Sequence, residues 1–124
     1  MVEPKKILVV DDSNTARMMC QMILKHRPFK ILTASDGLEA VETAISEQPD
    51  LILMDVCMPK MGGIEAVRNI RAREETRAIP IIMVTTKGEA ENVELGYESG
   101  CNAYVTKPIS SLELTSKIDD LIGE

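Results

Sequence analysis

The chain has no tryptophan, one phenylalanine and two tyrosines in 124 residues. So few aromatics leave almost no flat faces on which a flavin ring could stack. Histidine is nearly absent as well. His26 stands alone in Lys25-His26-Arg27-Pro28, which reads as a solvated helix end and makes a poor catalytic imidazole. Cys20, Cys57 and Cys101 are odd in number and share no metal-type spacing, so neither a disulfide framework nor a thiolate metal site is expected. This cysteine usage suits a reducing, cytoplasmic setting. No apolar run is longer than a strand, so no membrane span is expected. The opening residues, Met1-Val2-Glu3-Pro4-Lys5-Lys6, lack the apolar stretch of a signal peptide. Basic residues are outnumbered, 14 Lys and Arg against 20 Asp and Glu, and the net charge of −6 offers no basic face for nucleic acid.

What remains is an ordinary globular composition, 44% hydrophobic and 27% charged, of a length that suits one core. Apolar, β-branched runs predict strands at Lys5–Val10, Lys30–Ala34, Leu51–Met54, Pro80–Val84 and Ala103–Thr106. Helices are predicted between and after them, over about Asn14–His26, Leu38–Glu47, Ile64–Arg73, Glu89–Ser99 and Ser110–Ile122. Ser13 is a plausible N-cap, and Ser110-Ser111-Leu112-Glu113 reads as a capping box. The expected inward positions are Ala16, Met19, Cys20, Ile23 and Leu24 in the first helix, and Leu38, Val41, Ala44 and Ile45 in the second. The helix over Glu89–Ser99 is poor, with Gly88 before it, Gly96 inside it and a thin apolar stripe. Strict strand–helix alternation predicts an α/β fold, a five-stranded parallel sheet wound on both faces. Right-handed crossovers then bring every strand's carboxyl end to one edge.

That edge collects the chemistry. The strands end in Asp11-Asp12, Asp55, Thr85-Thr86 and Lys107-Pro108. Singly, each has a bland explanation: Asp-Asp can cap a helix and stabilise its dipole, Thr favours strands, and Lys-Pro makes turns. Together they place three carboxylates beside a hydroxyl and an ammonium. Clustered carboxylates favour a hard cation, and Mg²⁺ suits one or two carboxylates, waters and a phosphate. An Asp carboxylate can also accept a phosphoryl group as an acyl phosphate.

In this arrangement the chain resembles the receiver domain of bacterial two-component response regulators. The likeness spans about residues 5–122. It rests on Ile7-Leu8-Val9-Val10-Asp11-Asp12, Leu53-Met54-Asp55-Val56-Cys57-Met58-Pro59, Val84-Thr85 and Tyr104-Val105-Thr106-Lys107-Pro108. The resemblance implies a flavodoxin-like sheet of order 2-1-3-4-5 and one receiver domain over 1–124. It implies Asp55 as phosphoacceptor, and Mg²⁺ held by Asp12, Asp55 and the backbone carbonyl of Cys57, with Asp11 acting indirectly. It implies Thr85 and Lys107 as phosphoryl-binding residues, a cis peptide before Pro108, and Thr85 and Tyr104 as the switch pair. Cys57 and Lys87, each two residues beyond a site residue, are expected to tune the acyl phosphate's lifetime. Gly62-Gly63 stands where the family commonly has a polar–Gly pair, so this loop is expected to be looser.

The implied function is that of a signalling phosphoacceptor, not of an enzyme beyond its own phosphorylation and slow dephosphorylation. Expected partners are a histidine kinase or histidine phosphotransfer domain, and a downstream protein on the face formed by the helix at Glu89–Ser99, the fifth strand and the last helix. Thr15, Met18 and Met22 lie off the first helix's core stripe and could form an adaptable docking surface. A monomer or weak dimer is expected. Since the sequence ends with its last helix, no DNA-binding or enzymatic output domain is expected unless the sequence is a piece of a larger protein. The competing enzyme reading is a Mg²⁺-dependent phosphohydrolase with an Asp nucleophile. It lacks a second acid–base carboxylate directly after Asp55 and a lid-sized insertion.

Overall fold

The computed structural model describes residues 4–56, 58, 60–86 and 97–123. Cys57, Pro59, Lys87 and most of the helix expected over Glu89–Ser99 lie outside the described residues. In chain order the elements are β1 (Lys6–Val10), α1 (Asn14–Leu24), β2 (Lys30–Ala34), α2 (Gly37–Glu47), β3 (Leu51–Asp55), α3 (Gly63–Ala72), β4 (Ile81–Thr86), β5 (Ala103–Lys107) and the C-terminal helix α4 (Ser111–Ile122). The strands form one parallel sheet of order β2-β1-β3-β4-β5. The expected sheet and its order are both present.

Side-chain alternation along the strands splits the core in two. Leu8, Val10, Ile52, Met54, Ile81 and Met83 face α2 and α3. Ile7, Val9, Leu51, Leu53, Ile82 and Val84 face α1 and α4. Because β1, β3 and β4 are covered on both faces, they read as unbroken apolar runs. β2, at the sheet's edge, is only partly buried.

Three helices start on side-chain caps. Ser13 accepts a hydrogen bond from the Ala16 amide, Asp36 from Glu39 and Ser110 from Glu113. Each satisfies an amide that has no partner within its own helix. The Ser13 and Ser110 caps agree with the expected N-cap and capping box.

Two expected core residues are solvent-facing instead. Met19 is exposed because the inward row of α1 runs through Ala16, Cys20 and Leu24, four residues apart, and Met19 lies off it. Leu38 is exposed because α2 buries Gly37, Ala40, Val41 and Ala44. Small side chains in that row let α2 sit close to the sheet, which turns Leu38 outward.

The β3–α3 connection is not loose at its second glycine. The Gly63 amide donates to the Val56 carbonyl at 2.8 Å. A Cβ on Gly63 would lie 2.0 Å from the Asp55 carbonyl oxygen, so the first turn of α3 rests directly on the end of β3. At Gly62 a Cβ would meet only the Val56 oxygen, at 3.4 Å. Gly63→Ala is therefore expected to cost about 1–3 kcal/mol or more by overpacking against backbone. Gly62→Ala should cost under about 1 kcal/mol, the scale of an altered N-cap. Urea unfolding of both variants checks the contrast; equal losses would overturn it.

Candidate functional site

The site grows out of strand alternation. Asp11, Asp55 and Lys107 stand two residues beyond Val9, Leu53 and Val105, which belong to the core on the α1/α4 face. Continuing those rows past the apolar core brings the three side chains together at the carboxyl edge. Lys107 Nζ lies 3.0 Å from Asp11 Oδ2 and 3.3 Å from Asp55 Oδ1. Asp11 Oδ1 accepts from the Ser13 amide at 3.0 Å, tying the carboxylate to the start of α1. Asp12 is exposed beside them, and the carboxylates of Asp11, Asp12 and Asp55 each offer an oxygen within 4.8 Å of the others.

The Thr85 side chain belongs to the other row of β4, continuing Ile81 and Met83, and is buried. It pairs in register with Thr106 of β5. Tyr104 pairs with Met83 and packs, partly buried, on the α2/α3-side core. The edge of one tyrosine ring meets the face of the other between Tyr97 and Tyr104, with centroids 5.7 Å apart and planes at 85°. The Lys107–Pro108 peptide is cis. Met18 and Met22 are exposed on α1.

One neighbour was not singled out from the sequence. Arg17 donates to the Asp11 carbonyl and to the Asn14 side chain, bracing the β1–α1 turn. Its place one helical turn after the Ser13 cap was the available signal. Cys20 is buried nearby, and burial, reinforced by the Asp11 charge, pushes its thiol up to about 11. It stays protonated, so it is neither a nucleophile nor a metal ligand.

The electrostatics are unbalanced. Among the described residues, Lys107 is the only ion-pair partner of the three carboxylates. Burial by itself would lower the Lys107 pKa, but Asp11 and Asp55 outweigh it and hold the ammonium above its ordinary value. For Asp55 burial comes first and the Asp11 charge second; both raise its pKa, and Lys107 only partly opposes them, leaving it at about 6. A buried carboxyl whose ionisation is held back to about pH 6 beside two others is a group that lacks positive charge. All the side-chain donors are hard oxygens, partly open to water, and this set fits a small divalent cation.

The same shift sets the pH dependence of folding. An unfolded Asp55 titrates near 3.8 and the folded one near 6. Below both values the acid is protonated in both states and the site costs nothing. As pH rises through 6 the buried carboxylate ionises and that advantage is lost. Asp55→Asn should therefore stabilise the metal-free protein by about 1–3 kcal/mol at pH 7.5, and by about a third of that at pH 4.5. Urea unfolding in EDTA at the two pH values measures this. An equal gain at both would show that ionisation is not the cause.

The comparisons with known proteins agree with this geometry. The model of the response regulator receiver domain matches residues 7–119. The alkaline phosphatase synthesis transcriptional regulatory protein PhoP of Bacillus subtilis is 40% identical over 118 residues, 95% of this chain and 48% of its own length. The transcriptional regulatory protein SrrA of Staphylococcus aureus is 38% identical, over 94% of this chain and 47% of its own length. The chain thus spans about half the length of the curated relatives it matches. A crystal structure of a putative response regulator from Chloroflexus aurantiacus superposes with a TM-score of 0.93 at 28% identity, covering 98% of this chain and 99% of that one. The receiver domain of a Pseudomonas aeruginosa sensor histidine kinase, solved with magnesium in its active-site cleft, superposes at 0.90 with 31% identity, covering 98% and 99%. With its sheet order, its acidic edge and a match over residues 7–119, the chain belongs to the response regulator receiver domain family, whose members are signalling phosphoacceptors.

Proposed function

We propose that this chain takes a phosphoryl group onto Asp55 from a phosphohistidine donor, in a Mg²⁺-dependent reaction, and that this switches a protein-binding surface. The observation that carries the proposal is the sharing of Lys107 between Asp11 and Asp55, with a third carboxylate within 4.8 Å. Asp55 is the acceptor because it is central in the sheet and buried up to its carboxylate.

In the reaction an Asp55 carboxylate oxygen attacks phosphorus. The P–N bond of the phosphohistidine breaks as the P–O bond forms, and its electron pair returns to the imidazole, which takes a proton from solvent. Lys107, already 3.3 Å from Asp55 Oδ1, would follow the charge onto a phosphoryl oxygen, with Thr85 donating to another. Asp12, Asp55 and the Cys57 carbonyl would hold Mg²⁺, with Asp11 acting indirectly by holding Lys107 and lending negative charge. The ion's part is to neutralise the phosphoryl oxygens and orient them. Cys57 and Lys87 are proposed to tune how fast water reaches the acyl phosphate.

The partners proposed are a histidine kinase or phosphotransfer domain, which the exposed Met18 and Met22 could help receive, and a downstream protein on the side of β5 and α4. The chain is proposed to act as one receiver unit over 1–124, in the cytoplasm, as a monomer or weak dimer. No helix among the described residues is long and apolar enough to cross a membrane. The phosphohydrolase reading is not favoured: the family match is to signalling receivers.

Acetyl phosphate with Mg²⁺ is expected to add one phosphoryl group by intact mass, and none to Asp55→Asn or in excess EDTA. Full labelling of the variant would remove Asp55 from the role. In the same assay Cys57→Asn and Lys87→Glu should change the rate at which label is lost while leaving the Mg²⁺ requirement intact. Wild-type rates in both would end the tuning proposal.

The response is expected to travel from Thr85 to Tyr104 along the α2/α3-side row of β4 and β5. A coupling of about 1–3 kcal/mol would suffice for a useful change in partner affinity. Amide NMR with beryllofluoride, an acyl-phosphate mimic, should show shifts from Asp55 through residues 86–108. Thr85→Ala should bind the mimic but shrink the distant shifts. Undiminished shifts at Tyr104 in that variant would exclude this route.

A further inference from the structure

The loop that follows Asp55 is anchored at both ends, and the far anchor comes from an element outside the acidic edge. At its near end the Val56 amide donates to the Val84 carbonyl at 3.1 Å, and the Val56 carbonyl accepts from Gly63. At its far end the contacts come from the start of α2. The Gly37 amide donates to the Met61 carbonyl at 3.0 Å. A Cβ on Gly37 would lie 2.3 Å from that carbonyl oxygen, so the two backbones touch with no room for a side chain. The buried Asp36 divides its carboxylate: Oδ1 caps α2 by accepting from the Glu39 amide at 2.8 Å, and Oδ2 lies 3.7 Å from the Lys60 ammonium. Lys60 is one of two non-glycine residues with positive φ among the described residues, at +66°. That left-handed conformation, unfavourable for a side-chain-bearing residue, carries the chain around so that Met61 meets Gly37.

We infer that Asp36, Gly37 and Lys60 are positioning residues for phosphoryl acceptance on Asp55: the first turn of α2 clamps the loop that leads away from the acceptor. The inference rests on the reading of Asp55 as phosphoacceptor. None of the three residues touches the acidic cluster, so each acts through the loop. Val56 and Lys60–Met61 are thus both tied to neighbouring elements, and Cys57, whose backbone carbonyl is proposed to complete the metal site, lies between them in the sequence. A metal ligand flanked on both sides by fixed backbone is expected to cost less entropy to recruit than one that must be ordered on binding. The ion pair serves this purpose better than a neutral contact would, because the exposed Lys60 pulls against a carboxylate already fixed by its cap.

The test separates clamping from simple stability. Asp36→Asn keeps an N-cap oxygen and loses the charge. Lys60→Asn accepts the left-handed conformation and loses the ammonium. Both should unfold at wild-type urea concentrations. Each should raise the Mg²⁺ concentration for half-maximal phosphorylation by acetyl phosphate about two- to fivefold, the scale of a partly exposed ion pair. The double variant should be no worse than either single one, since both remove the same contact. Gly37→Ala, which forces the loop off α2, should raise it by about tenfold or more, the steep penalty of a misplaced site. Gly37→Ala is measured at a temperature where circular dichroism shows it fully folded. Wild-type Mg²⁺ dependence in all three single variants, or additive effects in the double, would overturn the clamp. Failure of the wild-type protein to take label at all would instead overturn the reading of Asp55.

Discussion

Three carboxylates offer oxygens within 4.8 Å of one another at the edge of this sheet, and two of them share one ammonium. No short peptide would hold such an arrangement, because the repulsion would disperse it. It persists here because each carboxylate is fixed to a rigid backbone for other reasons. Asp11 and Asp55 end strands whose apolar residues are wholly buried, and Asp11 is tied again to the start of α1. The burial of Ile7–Val10 and Leu51–Met54 on both faces holds the charges together. The raised Asp55 pKa records the cost, and it marks where a cation or a phosphoryl group bound with one would be most welcome.

Strand alternation also separates tasks. Asp11, Asp55 and Lys107 continue rows that face α1 and α4, while Thr85 and Tyr104 belong to rows that face α2 and α3. In the proposed function, chemistry and response would therefore lie on opposite faces, joined at the carboxyl edge of β4. A signal passing from one to the other must cross the sheet there, where Asp55 and Val84 are in register and the Val56 amide holds the Val84 carbonyl. Thr85 is the next residue.

The strands were legible because burial on both faces leaves continuous apolar runs, and the edge was legible because the strand ends carry charge. The Ser13 and Ser110 caps were legible because they are local. Met19 and Leu38 were misread because periodicity gives the width of an apolar face but not the angle at which small residues let a helix settle. Arg17, Asp36 and Gly37 were missed for a different reason. The contacts that matter most, from Arg17 to the Asp11 carbonyl, Asp36 to Lys60 and Gly37 to Met61, join separate segments, and such a close approach leaves no period in the sequence. Gly62-Gly63 looked like looseness, yet Gly63 is where α3 touches the end of β3. A glycine required by contact and a glycine permitting motion are written with the same letter.

That rigidity bears on where any change at Asp55 can go. Towards α3, the Asp55 carbonyl is blocked by Gly63, and the loop beyond is held by Gly37 and Asp36. Towards β1, Asp11 is fixed by Ser13 and by Lys107. Beside Asp11 and Lys107 lies the buried Cys20, a neutral thiol that offers no alternative partner for charge. The groups proposed to answer new phosphoryl oxygens are the Lys107 ammonium, which can trade one carboxylate oxygen for another, and the Thr85 hydroxyl. Both are on the β4–β5 side. A stiff wall on three sides thus gives direction to a small electrostatic event, because packed backbone resists displacement far more steeply than a hydrogen bond resists exchange.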